Sequence, residues 1–436
     1  RQRQMCIRDR YGMLMVFVFL ATLLLGVPIA FALGLTAVTG LFTTDPSFLI
    51  AIPQKLFATS NMYSLIAIPL FIMAGELMGL SGDVNRLMDL ARAAVGRVRG
   101  GLAYVSIILG MLLGGLLGMA NAAAALLSTV IYPEMVRDGY EDDFSASFLA
   151  SVSIIAPMIP PGMLFVIYGV ASNTSIADLF MAGAPAGVMI AIVLSGIIYF
   201  KGRKSQWPVS EHRTTRKELL QKLRSAAFSV LAPFVTFASI AMGIATPTEA
   251  AAVVCVLVYV VGAFVYKKIK PKDLLTVLTR TAISSGAILI ISAMGGVLGW
   301  YLSIAQVPQA IARGISAISD NRYVIMLIIQ AFLFFVGMIM DSAPAVMILV
   351  PVFMPIINQF GFDPVHFGLL MCLNLSIGLL TPPVGTVLYT TSTATGVPTD
   401  RMIRSIWPWV ICLTAVLMII AYIPDSVMWL PRLLAK

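Results

Sequence analysis

The residues best placed to do chemistry in this chain are neutral oxygens and opened backbone, gathered at two places. The first is Gly118-Met119-Ala120-Asn121, set against Ser151, Ser153 and the run Pro157–Gly162 with its Pro160-Pro161 pair. The second is Asp341-Ser342-Ala343-Pro344, set against Asn374, Ser376 and the run Thr381-Pro382-Pro383-Val384-Gly385-Thr386. Proline removes a backbone donor and clashes with the preceding turn, so a helix must open at each Pro-Pro. Opened helix ends offer carbonyls to a cation and amides to an anion. Ser, Thr and Asn add neutral oxygens, which suit a hard, weakly held ion such as sodium, and Asn374, Ser376, Thr381 and Thr386 are its expected ligands. A single Ser or Asn in a membrane helix more often bonds its neighbour than a solute. The recurrence of the whole pattern is what points to a binding site.

Charged residues add little. The ionisable groups expected inside apolar spans are Glu76, Glu249 and Asp341. No Lys or Arg lies in a clear span, so an anionic substrate would be met by helix N-termini and hydroxyls. Asp341 fits a structural or indirect ion-site role better than a proton relay. Gly79-Leu80-Ser81-Gly82 matches the GxSG of intramembrane serine proteases, with His366 as the one histidine near a span. It is a four-residue pattern in a chain of 34 glycines, and Ser81 falls at a span's end. No GxxxxGK[ST] occurs, so no nucleotide hydrolysis is expected. Cys6, Cys255, Cys372 and Cys412 stand singly, with no metal or redox spacing. Gly110, Gly114 and Gly118 form GxxxGxxxG, which close helix packing explains.

These residues must be positioned by membrane helices. The chain has 436 residues, 59% hydrophobic and 11% charged, with a net charge of +9. Soluble domains have about 45–50% apolar residues and about 25% charged. Apolar runs of 18 or more residues recur, each long enough to cross a hydrocarbon core about 30 Å thick. Soluble enzyme, nucleic-acid binder and secreted disulfide scaffold are excluded. Arg1–Arg10 (RQRQMCIRDR) reads unlike the rest, and residues 1–12 are expected to be a non-native scar, with Met13 the start of the chain proper.

The chain reads as one unit written twice. A shift of 222 positions aligns Gly115 with Gly337, Pro133 with Pro355, Gly139 with Gly361, Pro160-Pro161 with Pro382-Pro383, and Asp178 with Asp400. The stretches 101–133 and 323–357 are too long for one crossing and are expected to be helical hairpins that enter and leave on one side. The stretches 144–173 and 365–395 break at Pro-Pro, which is tolerated at membrane depth only where backbone lines protein or a watery cavity. About ten spanning helices plus two re-entrant hairpins follow, an all-α polytopic fold of two repeats. Five spans per half forces the second repeat to be inverted. With the N-terminus outside, the cytoplasmic segments hold 20 of the 25 Lys/Arg that remain after the first four arginines. The expected organisation is scaffold helices at 13–84 and 225–305, transport halves at 85–200 and 306–424, a basic cytoplasmic linker at 201–224 and a tail at 425–436. Paired broken helices in inverted repeats are the mark of a secondary transporter with its site at midplane.

The segments GVPIAFALG, GIATPTEAAA, GMIMDSAPAVMILVPVFMP, DPVHFG and LNLSIGLLTPPVGT resemble the large membrane subunit of TRAP (tripartite ATP-independent periplasmic) transporters. RGGLAYVSII, IAPMIPPGMLFVIYG and IPDSVMWLPRLL are similar to it too, so the likeness runs from Met13 to the C-terminus. The resemblance implies an elevator-type fold, sodium as coupling ion with no other cofactor, and small organic carboxylates (C4-dicarboxylate, sialic acid or keto acid type) as substrates. It implies two partners besides membrane lipids, a small four-span subunit and a periplasmic substrate-binding protein. A stand-alone sodium/dicarboxylate symporter is the alternative, and an intramembrane protease the remote one. The family's first hairpin tip usually reads like Ser-Gly-Ser-Ala, and a serine is common where Gly162 stands. Half one therefore lacks two hydroxyls, with Asn121 as a stand-in.

Overall fold

The computed structural model describes residues 14–434 apart from 16, 96–97, 205–206, 208–214 and 320. The segment read as a scar, with Cys6, and residues 205–206 and 208–214 of the basic linker lie outside the described residues. Among the described residues there is no strand, as expected where backbone polar groups must be satisfied within each segment. Among the described residues, eight helices are long and apolar enough to cross a membrane.

Element starts repeat at the spacing seen in the sequence. Hairpin one consists of Gly101–Leu117 and Ala120–Val130, and hairpin two of Arg322–Ile339 and Ser342–Gln359. Broken helix one is Asp142–Val152 followed by Met163–Ser172, and broken helix two is Pro364–Gly378 followed by Thr386–Thr395. Long helices Ile176–Lys204 and Thr399–Tyr422 come next. Each of these second-half starts lies within one residue of 222 positions after its counterpart. Both Pro160-Pro161 and Pro382-Pro383 are cis. Packing is reciprocal as well: Met163–Ser172 packs on the second arm of hairpin two, and Thr386–Thr395 on the second arm of hairpin one.

Two lengths differ from expectation. The arms of hairpin two are 18 residues each, about 27 Å of helix, so each is long enough to cross by itself. A hairpin contributes two crossings or none, so the parity that inverts the second half is unchanged. The helix expected at 282–303 runs Pro271–Ile304, 34 residues, because Lys270 and Asp273 cap it inside the basic loop and Leu-rich sequence carries it onward. The segment 82–100, read only as a basic cytoplasmic stretch, contains a helix, Asp83–Val95, whose apolar stripe is Val84, Leu87 and Ala91.

The side assignment has a direct check. In a chain freed of its native cysteines, a cysteine at Ser205 in the linker should resist an impermeant thiol reagent in intact cells, and one at Ser426 should react. Labelling at 205 without lysis would reverse the topology.

Candidate functional site

Hairpin one turns at Gly118, whose φ of +59° is a left-handed conformation that a residue with Cβ rarely adopts, and its second arm restarts at Ala120 after an extended Met119. Hairpin two turns at Met340, and Asp341 caps its second arm by accepting a 2.6 Å bond from the Ser342 amide. The two tips meet. Asn121 donates from Nδ2 to Asp341 Oδ2 at 3.1 Å and accepts at Oδ1 from the Thr386 hydroxyl at 3.3 Å. Asp341 is exposed, so the chain Thr386–Asn121–Asp341 lines an open face and is not a sealed core pair. Sequence reading singled out all three residues, but not that one residue of half one would hold two of half two.

Backbone bonds fasten each tip to the neighbouring break. The Met163 amide donates to the Gly118 carbonyl at 3.2 Å, closing hairpin one onto the restart of broken helix one. In half two, Val384 and Gly385 amides donate to the Met338 carbonyl at 3.2 and 3.4 Å. Gly385 takes φ +54° to make that turn. Four helix starts, Ala120, Met163, Ser342 and Thr386, are thus linked around Asn121. Three of them, at N-caps Met119, Gly162 and Gly385, have no side-chain cap. In these turns the Met163 and Val387 amides bond the Gly118 and Leu379 carbonyls, and each turn keeps the positive end of a helix dipole, worth about 0.3–1 kcal/mol toward an anion at the surface.

The remaining predicted residues divide by what they bond. Ser151 and Ser153 donate to carbonyls of their own helix, Ser147 at 2.8 Å and Ala150 at 2.7 Å. Ser376 and Thr381 do the same, to Cys372 and Gly378, both at 2.7 Å. Their donors are used, while their lone pairs remain. Asn374 reaches out of its helix to Gln330 in the first arm of hairpin two. The four expected sodium ligands therefore fall into separate settings, with Thr386 at the tips and Asn374 eight positions before Pro382, deep in the packed segment. Pro160 is buried, Pro161 and Pro382 are half-buried and Pro383 is exposed. The Ser342 hydroxyl is buried with no partner among the described residues. Gly162 is where it is for want of room, since a Cβ there would lie 2.2 Å from the Pro157 carbonyl oxygen.

Of the three carboxylates read as intramembrane, only Asp341 is at the tips. Glu76 lies 3.5 Å from Arg280, which the extended Pro271–Ile304 helix brings alongside. Glu249 closes a capping box with Thr246 at the start of Pro247–Val260. Sequence reading missed Asp83, fully buried and bonded by Ser81, by Ser229 at 2.5 Å and by Arg86 at 3.3 Å. Its signal was the Ser-Gly-Asp-x-x-Arg spacing of Ser81, Asp83 and Arg86. Ser81 thus serves Asp83, and His366 Nε2 pairs with the Ile420 carbonyl at 2.9 Å. The GxSG serine and the histidine are not partners, and the protease reading ends there.

A family model described as "Tripartite ATP-independent periplasmic transporter, DctM component" matches residues 16–426. The chain belongs to this family. It is 35% identical over 401 residues to the C4-dicarboxylate TRAP transporter large permease protein DctM of Pseudomonas aeruginosa, covering 92% of this chain and 94% of that one. It is 34% identical over 419 residues to the sialic acid TRAP transporter large permease protein SiaM of Vibrio cholerae, covering 96% and 98%. The crystal structure of the Alcanivorax borkumensis YdaH transporter shares the fold, with a TM-score of 0.64, 12% identity, and 88% and 89% of the two chains covered. This DctM-type chain is therefore a multi-pass permease of the inner membrane and not an enzyme.

Proposed function

We propose that the chain is the permease of a binding-protein-dependent secondary transporter that imports a small organic carboxylate down a sodium gradient. The observation that carries this is the meeting of four helix starts at Asn121, three without side-chain caps, next to two opened helices. Helix N-termini without side-chain caps suit a carboxylate, Arg280 of the span Pro271–Ile304 being paired with Glu76 away from the tips, and carbonyls and hydroxyls at the breaks suit sodium. The relatives named above for C4-dicarboxylates and sialic acid handle substrates that share a carboxylate. A small four-span subunit and a periplasmic binding protein complete the transporter.

The moving part is the pair of hairpins with their broken helices, 85–200 and 306–424, against a scaffold of 13–84 and 225–305. Each tip is bonded to its own break, which favours one rigid body over separately opening gates. Two of its contacts with the scaffold are apolar and tight: a Cβ on Gly115 would lie 2.4 Å from Pro233, and one on Gly299 2.6 Å from Pro351. Such faces can slide without breaking polar bonds, as an elevator requires.

Reconstitution tests the reading. Uptake of labelled C4-dicarboxylates, sialic acid or keto acids should be negligible with this chain alone in proteoliposomes. It should appear when the small subunit, loaded binding protein and an inward sodium gradient are all supplied. Strong uptake by the lone chain would favour the stand-alone symporter, and full-rate uptake on a pH gradient without sodium would end the coupling proposal.

A further inference from the structure

Gln330 is a polar side chain in the middle of an otherwise apolar hairpin arm, only 1% exposed, and no motif pointed to it. It faces Asn374, which is fully buried in the first segment of broken helix two. Asn374 Nδ2 donates twice to this one residue, to the Gln330 backbone carbonyl at 2.8 Å and to Oε1 at 2.5 Å. The backbone carbonyl settles which way the Asn374 amide points. Turned over, its Oδ1 would face a carbonyl oxygen at hydrogen-bond distance, two acceptors with no proton between them. The Gln330 amide is settled in turn, with Oε1 toward Asn374 and Nε2 toward the Met326 sulfur at 3.5 Å. Asn374 Oδ1 is then left buried and without a hydrogen-bond partner among the described residues.

A buried amide oxygen with no donor loses water without recompense, at a cost that protein cores seldom leave standing. Its chemistry is that of a neutral, hard ligand for a monovalent cation. The pair is also confined to half two. The positions 222 residues earlier are Ile108 and Val152, and Val152 fills the space beside Gly110. If the two residues only packed hairpin against broken helix, the apolar pair of half one would serve equally well.

We infer that Gln330 is a positioning residue for the coupling ion: it clamps the Asn374 amide so that Oδ1 is held as a sodium ligand. This rests on the sodium coupling proposed above and adds a residue to it. Gln330 itself does not touch the ion. Its backbone carbonyl selects the orientation of Asn374, and its Oε1, a second acceptor for the same Nδ2, holds the amide in that orientation before sodium arrives, so that no reorientation is needed on binding.

The test uses the full complex with small subunit and binding protein, and two readouts: sodium dependence of uptake, and sodium-dependent protection of this chain against thermal unfolding in detergent. The wild type comes first. If its uptake and its melting ignore sodium, the coupling proposal itself has failed. If the wild type responds, Gln330→Leu should raise the sodium concentration for half-maximal effect in both readouts by about tenfold, the usual consequence of losing one oriented buried polar partner. Half-saturation by substrate, measured at saturating sodium, should stay within about twofold. Gln330→Glu keeps an oxygen toward Asn374 Nδ2 and adds negative charge nearby, so its sodium requirement should equal that of the wild type or fall below it. A folded Gln330→Leu with wild-type sodium dependence in both readouts overturns the inference. If Gln330→Leu does not assemble, Gln330→Glu decides alone, and a raised sodium requirement there overturns it too.

Discussion

Gly378→Ala is expected to abolish uptake and to lower the melting temperature of the chain sharply, although the change adds one methyl group. At this point the first arm of hairpin two and broken helix two touch backbone to backbone. A Cβ on Gly378 would lie 2.6 Å from both Cα and C of Gly337, and one on Gly337 would lie 2.9 Å from the Leu375 carbonyl oxygen. No rotamer relieves a clash with main chain, so the helices must separate. Separation strains the bonds that the Val384 and Gly385 amides make to the Met338 carbonyl, one residue beyond Gly337. Overpacking costs about 1–3 kcal/mol in an ordinary core, and each strained bond about 1 kcal/mol more. The sum is a large share of the roughly 5–15 kcal/mol by which proteins are stable. Gly286→Ala is the control, since nothing lies within 4 Å of a Cβ there. Its melting should stay within about 0.5 kcal/mol of wild type. Thermal unfolding followed by size-exclusion profile, with uptake in parallel, separates the two. Wild-type melting for Gly378→Ala would mean that the hairpin is not held against the break in this way.

The half-one counterpart shows why such a contact was hard to read from sequence. The 222-residue register puts Gly115 opposite Gly337 and Ala156 opposite Gly378. In half one, however, the close approach is made by Gly114, whose Cβ would lie 2.6 Å from Ile159 Cβ and 2.9 Å from the Ala156 carbonyl oxygen. Gly115 turns instead to Pro233. Proline pairs and long apolar runs are local signals, and they located both hairpins, both breaks and the repeat. The site was legible as two clusters for the same reason, because Asn121, Asp341 and Thr386 sit next to turns that proline and glycine dictate. What joins the clusters was not legible. The bond between Asn121 and Asp341 spans 220 positions, and nothing in either tip's sequence names the other. Gln330 and Asp83 were missed for a different reason. Each looks locally like a stray polar residue at an unremarkable place, one inside an apolar run and one at the edge of a basic segment. Their partners, Asn374 and Ser229, lie 44 and 146 positions away.

Asp341 is where neutral and charged accounts of coupling part, and its two substitutions are expected to behave differently. The carboxylate has two jobs in the geometry: Oδ1 caps the second arm of hairpin two, and Oδ2 holds Asn121 across the tips. Asparagine can do both. Its Oδ1 still accepts from the Ser342 amide, and its Nδ2 then faces Asn121, whose amide turns over to present oxygen. The Thr386 hydroxyl, a donor to Asn121 at present, can rotate and accept from Asn121 Nδ2 instead. The network survives without a charge. Alanine removes the cap, worth about 0.5–2 kcal/mol, together with the bond across the tips, worth about 0.5–1.5 kcal/mol. Sodium-driven uptake by Asp341→Asn should therefore stay within about threefold of wild type with the same sodium requirement, while Asp341→Ala should lose about tenfold or more. A proton relay predicts equal severity instead, because asparagine cannot titrate and would stop coupling as completely as alanine. The measurement is initial uptake in proteoliposomes across a sodium series at fixed pH, and across a pH series at fixed sodium. If Asp341→Asn is inactive while its melting and its assembly with the partners are intact, the negative charge itself is required. Asp341 would then belong among the groups that bind or couple the ion, and the neutral-oxygen account of this site would have to be given up.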